Sequence, residues 1–335
     1  MFQCLKKSTL ALLFFTALFS CEKEDSVTPL PEQEDPAVVA EFKTNLSQLN
    51  LFSGDLSELQ ASSKAFEYKL NTALFSDYSH KQRIVALPEN TSMQYNGDGL
   101  PIFPDNTVIA KTFYYNLDER DLSLGKQIIE TRLLIKLNGT WETGNYKWNT
   151  DQTDAVLDLN SSIIPVTWID TNGQSNTSNY NIPSDADCFT CHSNNNEKKP
   201  LGLQLRNLNR NLNGTNQLQS LINTNLLSDL QNISNVRALP KWDDAINHTL
   251  EERTRAYLDV NCAHCHTAGG TCEDQSPLRL DYETTFDDSN IQSQKNSIIF
   301  RVSSDFQSGQ TMPWIGTTML HTEGVDLMLS YLNTL

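Results

Sequence analysis

Two short stretches of the chain combine paired cysteines with a histidine at the same spacing. The first motif is CFTCH, residues 188–192, and the second motif is CAHCH, residues 262–266. Two thiols three positions apart lie on one helical turn and can form thioether bonds to a haem, while the adjacent imidazole can bind its iron. Two such motifs are poorly explained by chance. We therefore predict two covalently bound haem c groups, with thioether bonds from Cys188, Cys191, Cys262 and Cys265 and iron ligands from His192 and His266.

Paired cysteines have two other common uses. In an oxidising compartment they can form a disulfide framework, and in the cytosol a four-cysteine zinc site. Neither use explains a histidine directly after each pair. Of the seven cysteines in the chain, Cys272 is left without a predicted role.

The second haem needs a sixth iron ligand, and the sequence offers candidates near the carboxyl terminus. Met312 precedes Pro313, whose fixed φ would hold a thioether sulfur rigidly. Methionine ligation raises the reduction potential, which suits an electron carrier. We predict Met312 as the ligand, with Met319 and His321 as alternatives, and assign Met328 to core packing.

The first haem has no equivalent candidate close by in the sequence. Between Cys191 and Thr311 there is no methionine, and His248 is the one further histidine there outside the two motifs. His80 and Met93 lie upstream. The sequence favours a five-coordinate iron that is open to a small ligand, and the alternative is a ligand that folds in from His80, Met93 or His248.

The amino terminus has the parts of a secretory signal. Two lysines precede the apolar run Leu10–Phe19, which is too short to span a membrane, and Leu-Phe-Ser then precedes Cys21. This order resembles a bacterial lipobox, so we predict a lipoprotein signal peptide over residues 1–20 and acylation of Cys21, which anchors the protein in a membrane. The acidic residues 22–25 resemble the export tail of surface lipoproteins of the Bacteroidota. The expected location is the outer membrane, facing the periplasm or the cell surface.

The net charge of the chain argues against some classes of binding partner. The chain has 25 basic and 41 acidic residues, and loss of residues 1–20 removes two lysines and no acid, which leaves 23 against 41 and a net charge of −18. A basic footprint for nucleic acid or for anionic membrane surfaces is therefore missing. A redox partner protein fits the predicted cofactors better.

The remaining pattern predicts an α+β fold, in which a mostly antiparallel β domain precedes a helical cytochrome c-like domain. We expect an acidic, proline-containing tether over residues 21–40, a β-rich domain ending in the first haem site over 41–200, a helical connector over 201–240 and the cytochrome c-like domain over 241–335. Short runs of β-branched and aromatic residues predict strands at 74–75, 83–87, 107–115, 126–137, 146–148, 155–159, 163–169 and 179–182. Asn138-Gly139 predicts a tight hairpin turn between two of them.

Three helices are predicted in the second half. A leucine stripe over residues 216–231 predicts a connector helix with Thr215 as its N-cap. Thr249 and Glu252 form a capping-box pattern at the start of a helix that would deliver the second motif at its end. A final helix over 322–335 carries an apolar stripe and should pack back across that helix, with a loop region between them.

The sequence also predicts the surroundings of two charged or polar residues near these features. Strand alternation predicts that Lys111 points outward. His264 is an inner residue of the second motif, so we expect it to face solvent or to donate to a haem propionate.

Several longer stretches are similar to a family of exported bacterial dihaem c-type cytochromes of unassigned role. They are LFSDY at 74–78, TVIAKTFYY at 107–115, ETRLLIK at 130–136, WNTDQTDAVL at 148–157, RNLNR at 206–210 and RTRAYLDVNCAHCH at 253–266. The resemblance implies haem binding and electron transfer outside the cytoplasm, with His192, His266 and Met312 as iron ligands. The alternative is a haem enzyme, peroxidase-like or acting on another small molecule, in which an open first haem reacts and the second relays electrons.

Overall fold

The protein is described here by a computed structural model covering residues 34–335. Residues Asp35–Leu335 form one compact unit. The predicted signal peptide, the predicted acylation site Cys21 and the first part of the predicted tether lie outside the described residues. Within that range, none of the helices has the length and apolar character needed to cross a membrane.

The fold combines antiparallel sheets with short helices. The strands of residues 34–335 are β1 (Phe66–Glu67), β2 (His80–Ala86), β3 (Met93–Gln94), β4 (Val108–Asn116), β5 (Lys126–Leu137), β6 (Thr140–Trp148), β7 (Ala155–Leu157), β8 (Ser162–Ile169), β9 (Ser175–Ile182), β10 (Ser193–Asn194), β11 (Glu197–Lys198), β12 (Asn211–Leu212), β13 (Thr215–Asn216) and β14 (Leu227–Ser228). The α-helices are α1 (Asp185–His192), α2 (Leu205–Leu208), α3 (Gln217–Asn223), α4 (Leu250–Asn261), α5 (Ile291–Ser303) and α6 (Thr322–Leu332). The predicted α+β class with a mostly antiparallel sheet is confirmed.

The main sheet has six strands in the order β1-β2-β4-β5-β6-β7, and each neighbouring pair is antiparallel. The hairpin between β5 and β6 turns at Asn138 and Gly139, whose φ angles are 51° and 84°. Both central residues thus have the positive φ that the predicted turn requires. The predicted strand at residues 74–75 is wrong, because that segment forms a loop.

The two faces of the main sheet have different neighbours. Ile84, Ala110 and Leu133 point into a core with the amino-terminal segment, which includes Leu46 and Leu49. The alternate residues point to the opposite face, where part of the sheet borders a cavity. Strand alternation therefore fixes which side chains can reach that cavity.

The connector differs from its prediction. Helix α3 covers only Gln217–Asn223, and its N-cap is Asn216, whose side chain accepts a hydrogen bond from Leu218 N at 2.9 Å. Asn225 then adopts a positive φ of 58°, and β14 pairs in parallel with β3. The predicted helix over 216–231 with Thr215 as cap is wrong, because the chain leaves the helical conformation at Asn225 and continues into β14.

The second motif follows a helix, as expected. Thr249 and Glu252 form the capping box that starts α4, and α6 packs against α4 through a core that includes Tyr257, Leu327 and Met328. The segment between them contains helix α5, which the sequence did not predict. This helix buries Ile291, Ile298 and Val302 on one side.

A buried ion pair ties the connector to α4. Arg206 Nη2 lies 2.9 Å from Asp259 Oδ1, with the side chains 6% and 3% exposed. Removing one partner of such a pair leaves an uncompensated buried charge. We expect Arg206→Met to lower the free energy of unfolding by about 3–5 kcal/mol, measured by urea denaturation. The control is Lys241→Met in the half-exposed pair with Asp243, where about 0–1 kcal/mol is expected, and equal losses would contradict the prediction.

Candidate functional site

The two motifs, far apart in the sequence, are in contact in the fold. The side chains of Cys191 and Cys265 lie close enough to interact with each other. His264 is half-buried beside Cys191 and lines the same cavity as both motifs, and its contact with a haem propionate stays a prediction. Cys272 N donates to Cys265 O at 3.2 Å. The two motifs therefore adjoin each other, with Cys272 beside the second.

Backbone and side-chain hydrogen bonds fix this inter-motif contact, formed by residues 190–195 and 264–272. Asn195 N donates to Gly269 O at 2.8 Å, and Thr271 Oγ1 donates to Thr190 O at 2.6 Å. Gly269 has a φ of 73°, and a Cβ there would lie 2.6 Å from side-chain atoms of Asn195. Glycine is therefore required for this close approach.

Both motifs line one cavity with a volume of about 330 Å³, within the usual range of small-molecule sites. The sheet borders it on one side and the segment before α6 on another. Its wall contains every haem-site residue predicted between 188 and 312: Cys188, Cys191, His192, Cys262, Cys265, His266 and Met312. Residues predicted separately from the sequence are thus brought together.

Helix α1 places the first motif. Ser184 caps this helix with a capping box, and His192 is its last residue. His192 Nδ1 lies 2.8 Å from Lys199 O, so Nδ1 carries the proton and donates to this carbonyl. Burial lowers the pKa of His192 to about 3. The ring is neutral, with Nε2 left as an electron-pair donor, the state in which histidine binds a metal.

The second motif begins where α4 ends, with Cys262 at the C-cap. His266 is held by its backbone, which accepts from Leu280 N at 2.8 Å and donates to Cys262 O at 3.0 Å. Its Nδ1 is buried with no hydrogen-bond partner, and burial lowers the pKa of the ring. This nitrogen is one of the few buried polar atoms without a hydrogen-bond partner in the described part of the chain.

The three candidates for the sixth ligand of the second haem all line the cavity. His321 is already engaged: its Nδ1 lies 2.9 Å from Tyr257 Oη and its ring stacks on Phe75 at 4.3 Å. Met312 and Met319 are held through their backbone nitrogens, by Arg301 O at 3.0 Å and Asp77 Oδ1 at 3.3 Å. Within residues 34–335, neither methionine forms a hydrogen bond through its thioether sulfur. Met312 stays the predicted ligand.

The upstream candidates for the first haem are placed elsewhere. His80 Nε2 lies 2.7 Å from Glu119 Oε1, and Met93 is fully buried in a hydrophobic core. Neither residue lines the cavity, and neither does His248. These three residues therefore do not face the first motif.

The sheet brings positive side chains to the cavity, which the sequence analysis missed. Arg83, Lys111 and Arg132 occupy a row of paired positions on β2, β4 and β5, and all three line the cavity. The prediction that Lys111 faces solvent is wrong: its Nζ donates to Leu201 O at 2.9 Å, and burial, with the charge of Arg83 next, lowers its pKa to about 7. Alternation could place these residues on one face, but the sequence did not show what covers that face.

Comparison of the chain with protein-family models, with curated proteins and with solved structures gives no match in any of the three. Among residues 34–335, no group of three or more His, Cys, Asp or Glu side chains is arranged to hold a metal ion. The fold and site define an α+β protein in which two CxxCH motifs share one cavity.

Proposed function

We propose that this protein is an exported, lipid-anchored dihaem c-type cytochrome that transfers electrons to or from a partner protein. The observation that carries the proposal is the shared cavity, whose wall contains both CxxCH motifs and Met312. Bound haem supplies a reversible one-electron change at its iron. The protein holds the cofactor, excludes water and sets the potential.

The donor set fits this cofactor. Cys188 and Cys191 would attach one haem and Cys262 and Cys265 the other. His192 and His266 are cavity residues whose rings burial keeps neutral. The Lys199 carbonyl orients the His192 ring by accepting from Nδ1, a role that outer contacts commonly have around metal-binding histidines.

The second half supports a cytochrome c-like arrangement for the second haem. Helix α4 leads into the second motif, and α6 packs across α4. The segment with Met312 lies between α4 and α6 in the sequence and borders the cavity. The apolar core formed by Leu258, Leu327 and Leu332 stabilises this pairing. We propose Met312 as the sixth ligand there.

The inter-motif contact supports electron relay between the two haems. Because Cys191 and Cys265 lie close together, the two predicted attachment points adjoin. The hydrogen bonds of Asn195 and Thr271 hold this arrangement in place. If both motifs held haem, this closeness would allow an electron to pass from one haem to the other within the protein.

A haem enzyme is the second candidate, and one observation favours it. His80, Met93 and His248 do not line the cavity, which leaves the first haem without these ligands. An open iron could bind a peroxide or another small molecule. The second haem would then be its electron relay.

Spectroscopy of the full chain, produced with a c-type haem attachment system, tests both candidates. We expect the pyridine haemochrome assay to give two covalent haems per chain. Two low-spin haems that ignore carbon monoxide would support the electron carrier, whereas a carbon monoxide complex at one haem would support the enzyme. Absence of covalent haem would contradict both and leave a non-haem binding lipoprotein. Mass spectrometry of the mature amino-terminal peptide tests acylation of Cys21.

A further inference from the structure

The positive row on the main sheet is unusual in its pairing. Arg83 lies directly opposite Lys111, and Lys111 directly opposite Arg132, on neighbouring antiparallel strands. Like charges in opposite positions repel and destabilise a sheet. All three side chains line the cavity that contains the first motif. These three positive charges therefore destabilise the fold unless a nearby negative charge compensates them.

The described residues supply only part of that negative charge. Arg132 Nη2 lies 2.5 Å from Oε1 of the fully buried Glu130. Lys111 donates instead to the uncharged carbonyl of Leu201, and Arg83 Nη1 donates to the carbonyl of Lys81 at 3.2 Å. Within residues 34–335, neither Arg83 nor Lys111 forms a salt bridge.

Burial makes the imbalance more costly. Arg83 is 8% exposed, and the Nε of Arg132 is buried with no hydrogen-bond partner. Taking a positive charge out of water costs several kcal/mol when no anion compensates it. Guanidinium groups bind carboxylates with two parallel hydrogen bonds, so a carboxylate is the natural complement.

The row adjoins the first motif. Lys111 and Arg132 are both close enough to interact electrostatically with Cys188 and with the ring of His192. An anion bound by the row would therefore lie beside whatever the first motif holds.

We propose that Arg83, Lys111 and Arg132 form a carboxylate-binding wall for the first haem site. The bound group is a planar oxyanion with two possible sources: the carboxylate of a propionate of the first haem, or a small free oxyanion such as formate or nitrite that would reach an open iron. Both rest on the proposed function, because both place haem at the first motif.

The experiment uses the full holoprotein with Arg83→Gln and, separately, Lys111→Met. The control is Lys136→Met, on the same sheet face: Lys136 also donates to a carbonyl, that of Phe103 at 2.7 Å, but does not line the cavity. Haem content and circular dichroism first establish that each variant folds. Resonance Raman propionate bands are then recorded without added anion, and formate and nitrite are titrated by absorbance.

Shifted propionate bands in Arg83→Gln and Lys111→Met, but not in Lys136→Met, would support propionate binding. An absorbance response to formate or nitrite that weakens at least tenfold in the same two variants would support a free oxyanion. If the propionate bands are unchanged in both variants, and the absorbance response to formate and nitrite is unchanged or absent, the proposed binding wall is wrong. Absence of covalent haem in the parent protein would instead contradict the proposed function, so the two failures are distinguishable.

Discussion

Replacing Cys262 and Cys265 together by alanine is expected to reduce covalent haem from two per chain to one. The thioether bonds of the second motif cannot form without these thiols, whereas the first motif lies on α1, whose Ser184 capping box does not involve them. The pyridine haemochrome assay and the intact mass measure the change. The reciprocal variant, Cys188→Ala with Cys191→Ala, should also keep one haem.

Cys272→Ala is the matched control for this loss. Cys272 lies beside Cys265, yet it belongs to neither motif, so two haems should remain. A fall in haem content in this variant would show that thiols outside the motifs take part in attachment. Two haems in either double-alanine variant would contradict the assigned attachment sites.

The same variants report on the inter-motif contact. Because Cys191 touches Cys265, two oxidised haems attached there should interact magnetically and broaden each other's electron paramagnetic resonance signals. Each single-haem variant should give a sharper spectrum. A parent spectrum equal to the sum of the two variant spectra would exclude close coupling.

Met312→Ala is expected to convert one haem from low spin to high spin and to lower its reduction potential. A thioether sulfur stabilises the reduced iron, and axial ligands change haem potentials over about 0.8 V, so a fall on the order of 0.1 V or more is expected. Absorbance spectra and potentiometric titration measure the two effects. Haem content should stay at two, because the thioether bonds are untouched.

The control for this prediction is Met93→Leu. Met93 is fully buried in a core and does not line the cavity, so its replacement by a residue of similar volume should cost less than about 1.5 kcal/mol and leave both spectra unchanged. If Met312→Ala also leaves the spectra unchanged, Met312 is not the ligand. Met319→Leu and His321→Phe would then be compared in the same way.

Sequence reasoning succeeded where a few neighbouring residues determine the outcome. Each CxxCH motif can be recognised from five consecutive residues, because thiol spacing and the adjacent imidazole are local properties. The Asn138-Gly139 turn and the Thr249 capping box are local for the same reason, and both were predicted and observed. The mostly antiparallel sheet was predicted from runs of β-branched and aromatic residues between turn signals, which are also local features.

Sequence reasoning failed where contacts between segments far apart in the chain compete with the local sequence pattern. The leucines at the end of the predicted connector helix belong to a segment that pairs through β14 with β3, and that contact outweighs the helical stripe. Lys111 shares its side of β4 with the buried residues Ile109 and Phe113, and the segment around Leu201 covers that side. The residues next to Lys111 in the sequence do not show which distant segment packs over it.

The sequence by itself determined the two CxxCH motifs, and from them it predicts haem attachment and the candidate iron ligands. Only the tertiary structure decided that both motifs share one cavity, that Cys191 meets Cys265, and that a positive row faces the first motif. The physical reason is that motif chemistry depends on short spacings along the chain. Which motifs and charges meet depends on how the sheet and helices pack.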